Sequence, residues 1–560
     1  MKNIFHILLL ALFVISCSSD IDEPIIIDEP TIVLEGKQVF RIDLKELTAK
    51  SQSVENQKKL DPESVLLSIN DANGNAILTR EKFALIQDGD SYVTPEITLE
   101  SGTYTITEFI VTDANDVVIS IAPKADSALA QFTSKPLPLE FEVTSNEKKE
   151  TVTENINAAG YTSVNFGYSD LSLTIPENTD FFSLTVDDSV LTTPKTLILK
   201  SITGSTYLVD WGDGIIEEYV STIPNSGIEN SISHSYTENQ MYTINVSGAI
   251  EAIELINFET GQDGNYESNL ASIDLEKLTM LKTCQLYNGK LTSLNTSNNS
   301  ALETLGLGYN QITSLDLSNN PNLKSVLVRF NQLTEIDISQ NPDVEFLWVN
   351  GNQISALDLT RNANLKQIFA RENNLSSIDF SNNPNLEWFD VANNAISAID
   401  ISANLALTEI NVGANNLQSI DLSKNTNLVR ADLYTNQLTN IDLSANVKLK
   451  DLYIEENNLT TIDLSSNLDL ERLYIKNNNI STLDIALNTK LTHLNIGDNQ
   501  FNETEIDQII NNMYDQIVSD AIMEGYINYL NNPGTEAVSN ATVSKINDLI
   551  VNYNWSFNNG

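Results

Sequence analysis

Cysteine is nearly absent from this chain: two occur in 560 residues, Cys17 and Cys284. That excludes a disulfide framework and any zinc site built from several thiolates. Histidine is almost as scarce, limited to His6, His234 and His493. Positive charge is the third shortage. Thirty-one Lys and Arg face 76 Asp and Glu, for a formal net charge of −45. Such a deficit excludes a phosphate-gripping nucleic-acid surface and charge-driven docking on anionic lipid. The apolar run from Ile4 to Ile15 is too short to span a bilayer. What is present is 41% hydrophobic residues, enough for packed cores and too much for wholesale disorder. At ~150 residues per domain the length sets a prior of roughly three to four domains.

The N-terminus points to export. Lys2 precedes the run Ile4 to Ile15, which has the length of a signal-peptide core. It ends Val14-Ile15-Ser16-Cys17, which resembles a bacterial lipobox. The resemblance implies a signal peptide over 1–16, cleavage before Cys17, and acylation of that thiol, palmitate included. A multiply acylated cysteine is a durable membrane anchor. Ser18 and the acidic Asp20-Ile21-Asp22-Glu23 resemble sorting and surface-export tethers of Gram-negative lipoproteins. The expectation is a lipid-anchored, surface-exposed outer-membrane protein with a flexible tether over 17–30; an ordinary Sec signal is the alternative.

Two β modules are expected next. Over 31–179, Val65-Leu66-Leu67-Ser68-Ile69 and Ala76-Ile77-Leu78 flank Asn73-Gly74, a hairpin signal. A second turn, Asp113-Ala114-Asn115-Asp116, leads into Val117-Val118-Ile119. Short strands at this spacing suggest a sandwich serving as a spacer. Over 180–250 comes Val209-Asp210-Trp211-Gly212-Asp213-Gly214, then His234-Ser235-Tyr236, then Tyr242-Thr243-Ile244-Asn245-Val246. This looks like a polycystic-kidney-disease-type (PKD) Ig-like sandwich. Gly212 and Gly214 permit positive φ, Asp210 and Asp213 can bond turn amides, and Trp211 can fill the core. Calcium or sugar binding at the two aspartates is the alternative. His234 reads as a packed strand residue with no sequence partner.

A 21-residue period then dominates. Leu302-x-x-Leu305-x-Leu307-x-x-Asn310-x-Ile312 recurs to Leu491, Leu494, Ile496, Asn499 and Phe501, with Asn310 to Asn499 forming one column. The pattern resembles short bacterial, internalin-like leucine-rich repeats over 273–501, about 11 of them, after a cap over 251–272. Two leucines of each short strand point inward, and stacked strands share one core. The asparagines can satisfy turn backbone. Cys284 takes an inward leucine slot and reads as a buried hydrophobe. Twenty-one residues leave no room for a convex helix, so a weakly curved solenoid with an extended or 3₁₀-like outer side is expected. A second column, Asp316 to Asp484 with Asn295 in an early slot, faces outward. Hydrogen bonds from serines such as Ser318 and Ser339 would offset its self-repulsion; bound calcium is the alternative.

Uniform columns carry scaffold, so information lies in the variable outward positions. One patch gathers Leu327, Arg329, Phe330, Phe346, Trp348, Phe369, Arg371 and Trp388. At ~4.8 Å per strand it is on the order of 15 Å wide. Clustered Trp, Phe and Arg match the composition of binding hot spots. A second patch gathers Arg430, Tyr434, Tyr453, Arg472 and Tyr474, beyond Asp390, Asn411 and Asp432. Flat rings can anchor a protein loop or stack on a sugar.

The period stops after Asn499. Glu503 to Ile517 reads as an amphipathic helix, Gly525 to Leu530 as a last strand, and Ala541 to Tyr553 as another helix, with Trp555 packing over the core. Solenoids need such atypical ends, so 502–560 is taken as a cap. The fold class expected is therefore mainly β: N-terminal sandwich modules, a weakly curved leucine-rich-repeat solenoid, and an α/β C-terminal cap. The function expected is binding of an extracellular protein or glycan by a monomeric lipoprotein, in adhesion or in glycan capture, with a non-binding structural role as a further alternative. No catalytic residue, metal site or cofactor is nominated, because most carboxylates belong to the repeat scaffold.

Overall fold

The computed structural model describes residues 34–45 and 62–557, apart from short stretches at 90, 128, 160, 162, 170, 176–179, 191–193, 222–230 and 260–267. The signal peptide, Cys17 and the acidic tether lie outside the described residues.

The first unit is a ten-stranded, mostly antiparallel sheet. The strands Ser64–Asp71 and Ala76–Ala84 form a hairpin around Asn73-Gly74, where Gly74 takes φ +85°. Asp71 holds this turn by accepting from the amides of Asn73 and Asn75. The strand Glu35–Lys45 pairs in parallel with Lys148–Asn157, and so ties the start of the unit to its end. One face packs around Phe40, Phe109 and Phe141. Ile110 on the other face joins Phe166 and Tyr168 of the segment that follows the sheet in a cluster with Ile202, Ala249 and Ala252 of the following unit.

That following unit has two sheets over one core. Five strands, including Phe181–Asp187, Thr206–Asp210, Met241–Gly248 and Leu270–Ile273, form the first sheet. Ser231–His234, Lys195–Lys200 and Leu255–Glu259 begin the second. Trp211 is completely buried between them with Tyr207 and Phe258. Asp210 Oδ1 accepts from the Gly212 amide at 2.9 Å, and Asp213 Oδ1 from the Ile215 amide at 3.1 Å. His234 ends the strand Ser231–His234 and finds its partner far along the chain. Its Nε2 lies 2.8 Å from Asp213 Oδ2, and its ring stacks on Trp211 at 4.9 Å. Packing of the two sheets against each other brings together residues that 21 positions separate along the chain.

The second sheet does not stop there. Leu255–Glu259 pairs in parallel with Thr283–Gln285, the first repeat strand, and the sheet runs on to sixteen strands. The described residues of 251–272 divide between two sheets. Leu255–Glu259 belongs to the solenoid sheet, Leu270–Ile273 closes the neighbouring sheet, and the two-layered unit itself covers the first repeat.

Each repeat contributes a three-residue strand, from Thr283–Gln285 to His493–Asn495, aligned in register at 21-residue offsets. Inward leucines such as Leu305, Leu347 and Leu473 are wholly buried. At roughly 1.5–3 kcal/mol per buried side chain, this column supplies most of the driving force for stacking. Cys284 sits in it, fully buried, its thiol pushed up to about 12 by loss of solvation. Asn310 donates to the carbonyls of Leu286 and Leu307 and accepts from the Leu291 amide, so one side chain joins two repeats. On the outer side no helix interrupts the described repeats. Bonds from the amides of Asn320 and Leu323 to the carbonyls of Leu317 and Asn320 make consecutive tight turns.

A second asparagine column, unread in the sequence, lies beneath those turns. Asn383, wholly buried, donates to the carbonyls of Leu359 and Asn362 at 3.1 and 2.9 Å. The acidic column is exposed above it. Asp316 Oδ1 accepts from the Ser318 amide at 2.9 Å, Asp337 Oδ1 does the same with Ser339 at 2.8 Å, and Asn295 makes the equivalent bond to Ser297.

After Asn499 the helix α1 (Glu503–Asp520) replaces the outer turns. Asn502 caps it by accepting from the Glu505 amide. The chain then returns to the sheet as Gly525–Asn528, and α2 (Asn540–Tyr553) leads to a last strand, Trp555–Phe557. Asn532 continues the asparagine column, donating to the carbonyls of Ile496 and Tyr529.

Candidate binding face

The variable outward side chains all rise from one surface because each strand places its middle residue inward and its two flanks outward. Register then fixes lateral neighbours. Phe346, Leu347 and Trp348 pair with Gln367, Ile368 and Phe369, which pair with Trp388, Phe389 and Asp390. Leu327 is in register with Trp348.

Five rings, Tyr309, Phe330, Trp348, Phe369 and Trp388, form a contiguous group with one guanidinium. Trp348 and Phe369 are 5.3 Å apart, and Trp388 meets Phe369 edge-on at 4.5 Å. Arg329 lies over both Trp348 and Tyr309, at 5.3 and 5.5 Å. Such cation–π contacts hold flat groups in fixed orientation. Trp388 is 36% exposed, and Trp348 and Phe369 are half-buried. The Trp348 indole Nε1 and Arg329 Nε are screened from solvent, with no hydrogen-bond partner among the described residues. Arg371 is held by Glu372 at 2.6 Å, which raises its pKa.

Phe330 belongs to a flanking row. It occupies the position before the column asparagine, where residues of successive repeats take positive φ; Phe330 itself has φ +51°. Its ring stacks at 4.6 Å on Tyr309, which is 45% exposed. Tyr309 was missed by sequence reading, as was Tyr287. For Tyr287 a signal existed, because several aromatic residues of this row have a glycine 21 positions away: Tyr287 and Gly308, Phe330 and Gly351, Gly413 and Tyr434. A β-carbon at Gly351 would lie 2.4 Å from the Phe330 ring, and one at Gly413 would lie 2.3 Å from the Tyr434 ring. Glycine clears the surface so that a neighbouring ring can lie flat across it.

The second group is more polar. Tyr453 and Tyr474 stack at 4.9 Å, and Arg430 lies 4.7 Å over Tyr453. Its arginines are internally engaged. Arg430 donates twice to Asp432, and Arg472 twice to Asp451. They serve to fix neighbours and are less available to a ligand than the sequence implied.

Between the groups lies an acidic floor. Burial raises the pKa of the Asp390 carboxyl, against opposition from the Ala392 amide and Arg371. Burial also raises that of Asp432, against Arg430. Beside the second group, Glu455 is pushed up to about 6 by burial, and its Oε2 is screened without a hydrogen-bond partner among the described residues. Asn411 Oδ1 accepts from the Gly413 amide. Partly desolvated carboxyls beside flat rings offer directional acceptors to hydroxyl or amide donors.

No protein-family profile and no curated protein matches this chain. Solved structures do. An internalin from Listeria monocytogenes is 21% identical, with a TM-score of 0.46 over 54% of this chain and 88% of that one. A leucine-rich-repeat protein of Leptospira interrogans is 21% identical, with a TM-score of 0.44 over 50% of this chain and 80% of that one. YopM, a leucine-rich effector of Yersinia pestis, is 25% identical, with a TM-score of 0.34 over 40% of this chain and 68% of that one. Leucine-rich-repeat proteins are what this chain is similar to.

Proposed function

We propose that the chain is a non-enzymatic binding scaffold whose strand face takes an extracellular protein. The observation that carries this reading is the contiguous set Tyr309, Phe330, Arg329, Trp348, Phe369 and Trp388 on a repeat face. Aromatic and arginine side chains held flat and half-exposed lose little entropy on binding, which makes them effective anchors. The acidic chain favours a basic partner through long-range attraction. Anchoring through Cys17 at the outer surface, with the PKD-like unit and the first β unit as spacers, fits this role. A second reading is capture of a glycan. The floor of Asp390, Asn411 and Asp432 favours it, since carboxylates and amides beside rings suit sugar hydroxyls.

The test is a protein and glycan array probed with the full chain, beside Trp348→Ala/Phe369→Ala and Gly413→Ala. A ligand lost only in the double variant places the site at the first ring group. One lost only with Gly413→Ala places it around Tyr434. A ligand retained by both variants rejects the first ring group and the Tyr434 surface as the site.

A further inference from the structure

Three groups meet inside the two-layered unit, away from the strand face. Lys195 opens the strand Lys195–Lys200, and Asp188 directly follows Phe181–Asp187. Both side chains are wholly buried, and Lys195 Nζ donates to Asp188 Oδ1 at 2.7 Å. Asn269 directly precedes Leu270–Ile273 and is 3% exposed. Its Nδ2 donates to the same Asp188 Oδ1, also at 2.7 Å. The Lys195 amine and the Asn269 carboxamide thus converge on a single buried carboxylate oxygen. Asn269 is pinned as well through its carbonyl, which accepts from the Asp187 amide.

Stability alone is a poor reason for such a cluster. Taking an ammonium and a carboxylate out of water is costly, and apolar replacements of a buried ion pair are commonly as stable. Burial lowers the Lys195 pKa, opposed by Asp188, so the neutral amine becomes more accessible than it is in water. A neutral amine is a nucleophile, and full burial of the Lys195 side chain shields it from bulk solvent.

We propose that Lys195 and Asn269 join in an intramolecular isopeptide bond, with Asp188 as the proton carrier. Asp188 first takes a proton from the Lys195 ammonium. The amine Nζ then attacks Asn269 Cγ, forming the new C–N bond and a tetrahedral adduct. Asp188 gives its proton to Nδ2 and accepts one from Nζ. The Cγ–Nδ2 bond breaks and ammonia leaves. The products are a secondary amide, ammonia and a neutral Asp188. No electrons are transferred and no co-reactant is consumed. The buried charge pair disappears, which removes the desolvation penalty that the unreacted cluster carries.

The bond would cross from one sheet to the other. Lys195–Lys200 lies in the sheet that continues into the solenoid, whereas Leu270–Ile273 lies in the five-stranded sheet. The loop it closes contains the Trp211 turn and His234.

Peptide mapping of the denatured full chain by mass spectrometry tests the proposal. The expected result is a branched peptide joining the Lys195 and Asn269 segments, about 17 Da lighter than the sum of its parts, the mass of ammonia. The Asp188→Asn and Asn269→Ala variants should yield only linear peptides. Linear peptides at full mass from the unmodified sequence would overturn the proposal, whether or not any variant folds. A branched peptide about 18 Da lighter, which marks loss of water, would overturn the assignment of Asn269 by making Asp188 the acyl donor.

Discussion

The buried asparagine beneath the outer turns has an amide that is fully used and an oxygen that is not. In Asn299, Asn341, Asn362, Asn383, Asn404, Asn425, Asn446 and Asn467 that oxygen finds no partner among the described residues. Asn320 is different, because Thr296 stands in an inward apolar slot and donates to its Oδ1 at 2.8 Å. Thr296→Val should therefore cost only about 1 kcal/mol, since it makes this repeat like the others. Asn383→Ala should cost more, roughly 2 kcal/mol, because two buried carbonyls lose their donors. Urea midpoints of the two variants check the order, and equal costs would contradict it. The acidic column follows opposite logic. Hydrogen bonds from the Ser318 side chain and amide hold the Asp316 pKa low, and Ser444 does the same for Asp442. A depressed carboxyl stabilises the fold above its unfolded pKa and withdraws that support as pH falls through the folded value. Replacing several of these aspartates with Asn, as Asn295 already is, should lower neutral-pH melting and flatten the loss of stability as pH falls, which melting curves recorded from neutral into acid pH check.

At the scale of elements, the short helical turn Ile250–Ala252 joins the first unit to the second. It carries Glu251, whose carboxyl is pushed up to about 7 by burial, with the Tyr161 hydroxyl opposing and the Asp180 charge reinforcing the rise. A carboxyl raised in the folded state stabilises the fold when protonated. That contribution is present at pH 5 and lost as pH climbs through about 7. Glu251→Gln should narrow the difference in melting between pH 5 and pH 8, by roughly 1–2 kcal/mol after allowance for partial solvation. An unchanged difference would show that the carboxyl does not govern this joint. The joint also shows which elements a sequence reveals. The repeats were legible because one period specifies strand, turn and core together, and 21 residues allowed no outer helix. The cap helices were legible from the spacing of Ile506, Ile509, Ile510 and Met513, all buried in α1. The fusion of the two-layered unit with the solenoid was not. Leu255–Glu259 and Leu270–Ile273 lie outside the period, and nothing local says that two consecutive strands join different sheets. In the candidate face, alternation along each strand revealed Trp348 and Phe369. It missed Tyr309, which sits beyond the strand at a positive-φ position.

For the whole molecule, one apolar cluster runs without a break from Phe182 through the repeats to Phe557. Neighbour-to-neighbour stacking of this kind couples the two-layered unit to the solenoid. The four tryptophans report on this directly. Trp211 marks the two-layered unit, Trp348 and Trp388 the strand face, and Trp555 the last layer. Single-tryptophan variants should show Trp211 and Trp348 changing fluorescence at the same denaturant concentration. A clearly earlier transition at Trp211 would mean that the shared core does not couple the two parts. Trp555 is 2% exposed and donates to the Ile522 carbonyl. Its truncation to Ala should cost about 3 kcal/mol and loosen the C-terminal layer first.

The continuous sheet also has a mechanical meaning. Its strands are hydrogen-bonded side by side, with parallel neighbours from Leu255–Glu259 to Trp555–Phe557. Tension between a held N-terminus and a gripped strand face would fall on successive ladders in series. Each ladder has only three residues, so a load exceeding one pairing would peel a repeat and lengthen the chain before the next gave way. A solenoid built this way would act as a graded fuse under such a load, yielding one 21-residue repeat at a time.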